Sequence, residues 1–112
     1  MRRKFLAGLL AGALASALTV TLAEAAENHK AEALKHAEAA VASGKKGDAK
    51  AEGEHATAAK THAEAAQKER PNAHVEAAIK SLDSTIEHSK MGHADVAAKS
   101  AEEAVTHLKA AQ

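Results

Sequence analysis

Eight histidines are the residues of this sequence whose type and spacing indicate a chemistry. They lie on a seven-residue register with three positions in each of four segments, and they fill eight of its twelve positions. The histidines are His29, His36, His55, His62, His74, His88, His93 and His107, and the other four positions hold Ser43, Asp48, Ser81 and Ser100. Neutral imidazole is a common ligand of divalent transition metals. Because unrelated surface histidines have no reason to keep one spacing, the register predicts that all eight are metal ligands.

The spacing also predicts how the ligands combine. Seven residues are two helical turns, so successive histidines of one helix lie about 10.5 Å apart, too far to share an ion whose bonds to nitrogen are near 2 Å. The second ligand must come from another helix. If the chain folds back at 44–47 and 89–92, residues equidistant from each turn lie level. The level pairs are His29 with His62, His36 with His55, His74 with His107 and His88 with His93.

The positions that lack histidine support this pairing, because Ser43 lies level with Asp48 and Ser81 with Ser100. Three carboxylates are additional candidate ligands, each three or four residues from a histidine: Glu32, Glu52 and Glu103. The alternative for these three is an ordinary solvated helix residue. Asp48, which follows Gly47, is better interpreted as the N-cap of the next helix.

The composition limits the metal and the class of protein. The chain has no cysteine, and imidazole without thiolate suits Cu(II), Ni(II), Zn(II) and Co(II), with Cu(II) first in the Irving–Williams order. A formal net charge of zero and 1% aromatic residues exclude the basic surface and stacking platforms of a nucleic-acid binder. The histidines are spread along the chain and no nucleophile set accompanies them, so we expect a binding protein and not an enzyme.

The elements that hold the histidines are predicted to be helices near 27–43, 48–68, 73–88 and 93–110. The sequence is rich in Ala, Glu and Lys and poor in β-branched and aromatic residues, which favours helix over sheet. Its halves align without gaps at an offset of 45 residues, placing His29 on His74 and His62 on His107. Duplicated hairpins over 27–68 and 73–110 predict an all-α, antiparallel four-helix bundle as the single domain 26–112.

The first 25 residues have the pattern of a cleaved signal peptide. Arg2, Arg3 and Lys4 precede an apolar run, and Ala23-Glu24-Ala25 is a small-x-small cleavage site. We therefore expect export to the periplasm and no membrane attachment after cleavage. An uncleaved membrane anchor is the alternative, and the paired arginines leave the choice between the general and the twin-arginine export route open.

The sequence resembles the small metal-binding proteins of the periplasm. The resemblance is carried by the heptad histidines, the run Lys35–Val41, the glycine-bounded turn 44–47 and the stretch His93–His107. It implies a four-helix bundle that binds several divalent ions, copper foremost, for storage or detoxification. The serines and the aspartate on the register depart from the fuller histidine pattern, so fewer ions or weaker binding should follow.

Two other functions remain open at this stage. The protein could be a carrier that delivers metal to a partner, although the sequence displays no docking surface and the protein partner is unknown. It could also be a structural helical protein whose histidines are incidental. Equilibrium dialysis against Cu(II) discriminates this second alternative, because such a protein would not retain the ion.

The signal pattern gives a first testable prediction. The mature chain should begin near Ala26 and be recovered from the periplasm, because the export pattern places cleavage after Ala25. Intact mass spectrometry of the protein purified from its native cells measures this directly. Retention of residues 1–25 would contradict the prediction.

Overall fold

The computed structural model of the chain describes residues 21–112, which form four helices and no strand. The helices are α1 (Leu22–Lys45), α2 (Ala49–Glu69), α3 (Ala73–Lys90) and α4 (Ala94–Ala110). Each helix packs against the next in the sequence, and α1 also packs against α4, so the four close into a ring. This confirms the predicted all-α, antiparallel four-helix bundle. None of the helices within 21–112 is long and apolar enough to cross a membrane.

The helix ends are set by capping side chains. Thr21 and Glu24 form a capping box at the start of α1, and the Asp48 and Asn72 side chains accept hydrogen bonds from backbone N–H groups in the first turns of α2 and α3. The predicted N-cap role of Asp48 is therefore confirmed. The predicted start of α1 near residue 27 is wrong, since the capping box places it at Leu22. Residues 1–20 of the predicted signal peptide lie outside the described residues.

The core follows a heptad pattern in which alanine is the commonest residue, while α3 buries Val75, Leu82, Thr85 and Ser89 beside its single core alanine. With positions named a to g, the buried residues of every helix fall at a and d, and Ala98 at an e position is the one addition within the described residues. The largest fully buried side chains are Leu82, Leu108, Glu52, Val75 and Thr85. Because alanine fills little space, neighbouring helices approach closely along their whole length.

The two flanks of this core differ in chemistry. The e positions carry the larger apolar side chains, which pack half-buried against the alanine core: Leu34, Val41, Ile79, Ile86 and Val105. Every histidine lies at a g position, immediately before a buried a residue. On α3 the large apolar residues thus divide between the buried core, with Val75 and Leu82, and the half-buried e flank, with Ile79 and Ile86.

Glu52 is a carboxylic acid inside this core. It is fully buried, and neither carboxyl oxygen has a hydrogen-bond partner in the part of the chain that the structure describes. Its carboxyl occupies the space beside Gly44, where the Cβ of any larger residue would overlap it, and close to Ala98 of α4. Burial raises the pKa of Glu52 to about 7, and the charge of Asp95 adds to the rise.

The raised pKa predicts how the metal-free protein responds to pH. Between about pH 4.5 and 7 the folded protein keeps the Glu52 carboxyl protonated, whereas the unfolded chain releases this proton. The free energy of unfolding is therefore higher at low pH and falls as the pH rises through this range. Because Gln is neutral at every pH, Glu52→Gln should not show this fall in the free energy of unfolding, which amounts to up to about 3 kcal/mol. Urea unfolding in EDTA at pH 5 and pH 8 measures the difference. Glu54→Gln is the control, because Glu54 lies two residues further along α2 and is exposed. An unchanged pH dependence in Glu52→Gln would contradict the prediction.

Candidate metal centre

The g flanks of the two helices in each hairpin face each other, and the histidines on them meet in pairs. The structure brings together all four level pairs that the sequence predicts. Their ring centroids are separated by 5.4 Å for His29 and His62, 6.2 Å for His36 and His55, 6.4 Å for His74 and His107, and 6.4 Å for His88 and His93. The role of these residues as ligands stays a prediction.

The first pair has a separation that suits a shared ion. The Nδ1 atoms of His29 and His62 are 3.2 Å apart. Two nitrogens bound to one ion at about 2.05 Å, with an angle between square-planar and tetrahedral, lie about 2.9–3.4 Å apart. An ion can therefore bind between these rings with little movement of either helix.

The first hairpin also makes a diagonal contact that level pairing does not predict. His36 and His62 stack with their centroids 5.6 Å apart and their planes within 5°, which is closer than the level contact between His36 and His55. The imidazoles of the two helices thus interleave, because His62 contacts both His29 and His36, and His36 contacts both His62 and His55. The result is a continuous run in the order His29, His62, His36, His55.

This diagonal contact is part of a three-ligand group. One ligand atom each from Glu32, His36 and His62 lies within 4.8 Å of the other two, and no other such group of three occurs among residues 21–112. Glu32 and His36 are one turn apart on α1, with Oε2 and Nε2 separated by 4.0 Å. Of the three glutamates selected from the sequence, Glu32 is therefore the one that the structure places with the histidines.

The other two glutamates are not brought to the histidines. Glu52 lies at a d position and its carboxyl points into the core beside Gly44 and Ala98, which leaves it no access to an ion on the flank. Glu103 is exposed and lies outside the three-ligand group. The spacing itself separates Glu52, because three residues before a g-position histidine is a core d position. Glu103 precedes His107 by four residues, as Glu32 precedes His36, so only the structure distinguishes these two.

Glu69 is a carboxylate that the sequence reasoning missed. Its Oε1 lies 3.8 Å from Nε2 of His29, while Nδ1 of the same ring faces His62. At 3.8 Å the carboxylate is beyond hydrogen-bond distance, so Glu69 acts on the His29 ring through its charge and does not fix the ring's orientation. The signal was present in the sequence, because Glu69 follows His62 by seven residues and extends the register by one step.

The second hairpin contains two isolated pairs. The diagonal contact of the first hairpin maps, through the repeat, onto Ser81 and His107, so it has no counterpart here. Ser100, the other replaced position, hydrogen-bonds with its hydroxyl to Ser84 at 3.0 Å, and not to the level Ser81. The serines thus separate the pair near the turn from the pair at the far end.

Comparison with known proteins agrees with this arrangement. A search of the curated proteins found no match. The family model described as small metal-binding protein matches residues 3–111, a span that includes all eight histidines and the four helices. The chain belongs to the small metal-binding protein family.

Proposed function

We propose that this protein binds divalent transition-metal ions through cross-helix pairs of imidazoles, and holds them for storage or detoxification. The observation that carries the proposal is the meeting of every histidine with another from the facing helix. Imidazoles are thereby concentrated on one face of each hairpin. The metal-binding character of the family supports the same conclusion.

The donor set supports Cu(II) as the preferred ion, with Ni(II), Zn(II) and Co(II) as competitors. The ligands are imidazoles with carboxylates beside them, and the chain has no thiolate. Two or three protein ligands leave coordination positions for water, unlike the closed four-ligand sets of structural zinc sites. Such sites exchange their ions, which suits a buffer better than a permanent structural metal.

The distribution of the ligands supports a binding role without catalysis. Each hairpin carries its histidines along its length, and most are half-buried at the edge of the core. An enzyme would need acid, base and substrate positions that converge in one cleft. We further propose that the protein works in the periplasm, on the strength of the export pattern at its N-terminus.

Metal binding should stabilise the fold and should depend on pH. At a free Cu(II) concentration of about 100 times the Kd, the free energy of unfolding should rise by about 2.7 kcal/mol for one site. Protonated imidazole has no free lone pair, so binding should be present at pH 7.5 and weaken below about pH 6.5. Thermal unfolding with and without Cu(II) at pH 7.5 and pH 5.5, and competition titrations with Ni(II), Zn(II) and Co(II), measure these effects. A melting temperature that saturating Cu(II) leaves unchanged at pH 7.5 would refute the proposal.

The repeat supplies a matched pair of variants that tests the run of histidines. His62 and His107 are equivalent in the two hairpins, and both are half-buried. His62 contacts both His29 and His36, whereas His107 contacts His74. His62→Ala should therefore lose a larger amount of its tightly bound Cu(II) than His107→Ala, because it removes a ligand from two contacts. Cu(II) retained against a fixed concentration of a chromophoric chelator gives the comparison, and equal losses would show that the histidines of the first hairpin act as separate pairs.

A further inference from the structure

The two hairpin turns have the same backbone and different side chains. Lys46 and Met91 occupy the same position, with φ and ψ of −83° and −4° for the first and −83° and −2° for the second. The next residue is a glycine with φ of +79° in both turns, a conformation that favours glycine. Differences between the turns therefore arise from their side chains and not from the path of the chain.

The substitutions around this shared backbone occur together. In the α1–α2 turn the three relevant side chains are Ser43, Lys46 and Asp48, and in the α3–α4 turn they are His88, Met91 and His93. The second turn exchanges a cationic amine for a neutral thioether at the point where two imidazoles face each other. Met91 has the only sulfur atom among residues 21–112, and it is 57% exposed.

The imidazoles of this turn do not stabilise the local backbone. Nδ1 of His88 is buried and has no hydrogen-bond partner within the described part of the chain. His93 is the N-cap of α4 but makes no capping hydrogen bond, whereas the equivalent Asp48 caps α2. A histidine that occupies a cap position without capping gives up local helix stability there.

The backbone of the turn brings the three residues together. The N–H of His93 donates to the carbonyl of His88 at 2.9 Å, and the N–H of Met91 donates to the same carbonyl at 3.2 Å. The imidazole centroids are 6.4 Å apart. Met91 lies on the short connection between them, and its three rotatable side-chain bonds allow the thioether to turn towards the rings.

We propose that His88, Met91 and His93 form a binding site for a soft monovalent metal ion of the Cu(I) class at the α3–α4 turn. The proposal rests on the proposed function, since it uses one of the four imidazole pairs. A thioether is a soft ligand that selects Cu(I), whereas imidazole and carboxylate alone favour divalent ions. The protein thus has one site that accepts the reduced form of copper and a first hairpin that lacks a sulfur ligand.

Ag(I), which has the same charge and soft character as Cu(I), is the probe for this site. The protein is labelled with ¹³C at its methionine methyl groups, and Met91 gives the one methionine signal expected from residues 26–112. We expect the Met91 signal to shift and to stop shifting at one equivalent of Ag(I). Met91→Leu, which keeps the apolar volume, should bind Ag(I) about tenfold or more weakly and bind Cu(II) as the unaltered protein does.

Two further variants separate the thioether from the imidazole pair. Lys46→Met places a thioether on the same backbone without facing histidines, and its methyl signal should not saturate at one equivalent. His88→Ala should abolish the saturating shift of Met91, whereas His74→Ala, in the other pair of the same hairpin, should preserve it. Equal Ag(I) affinity in Met91→Leu and the unaltered protein would overturn this inference alone. Failure of the unaltered protein to bind Cu(II) would instead refute the proposed function.

Discussion

Close packing of alanine against alanine is the constraint on which the rest of this structure depends. Alanine occupies most a and d positions of α1, α2 and α4, so neighbouring helices approach until the side chains on their flanks meet. The g positions adjoin this seam, and an imidazole there reaches the imidazole of the facing helix. Larger core residues would hold the helices further apart and separate the rings. Alanine side chains contribute little hydrophobic free energy, because each buries one methyl group and a buried methylene is worth about 0.8 kcal/mol. Ligands that join two helices therefore have a proportionally large effect on stability.

Two residues show where this chain departs from what is best for stability. Glu52 places a carboxyl without a partner in the core beside Gly44, and His93 stands at a cap position without forming the cap. A buried polar group without a hydrogen bond costs free energy, and so does an unfilled N-cap. Departures of this kind are expected near functional sites. His93 has such a site in its facing imidazole, whereas nothing beside Glu52 explains its retention.

The sequence was sufficient for the bundle and for the pairing, because both follow from period and symmetry. Heptad spacing and the two turns decide which histidines lie level, and the four pairs in the structure match. The start of α1 was missed because Ala23-Glu24-Ala25 fits a cleavage site, so the residues before Ala26 were assigned to a signal peptide and not to a helix. The diagonal stacking of His36 on His62 depends on side-chain rotamers, which no spacing rule contains. Glu32 and Glu103 both precede a histidine by four residues, and only the structure shows that Glu32 lies with the imidazoles and Glu103 does not.

Under the proposed function, the different imidazole contacts of the two hairpins would give them different metal-exchange behaviour. In the first hairpin an ion held by His29 and His62 has the next imidazole, His36, in contact with one of its own ligands. If the histidines bind metal as proposed, such an ion would exchange one ligand at a time, and neighbouring ions would compete for the ligand they share. In the second hairpin the serines separate the pairs, so an ion there would leave both ligands before it reached another site. One duplicated unit would then provide both coupled and isolated sites, because His36 and His55 of the first hairpin correspond to Ser81 and Ser100 of the second.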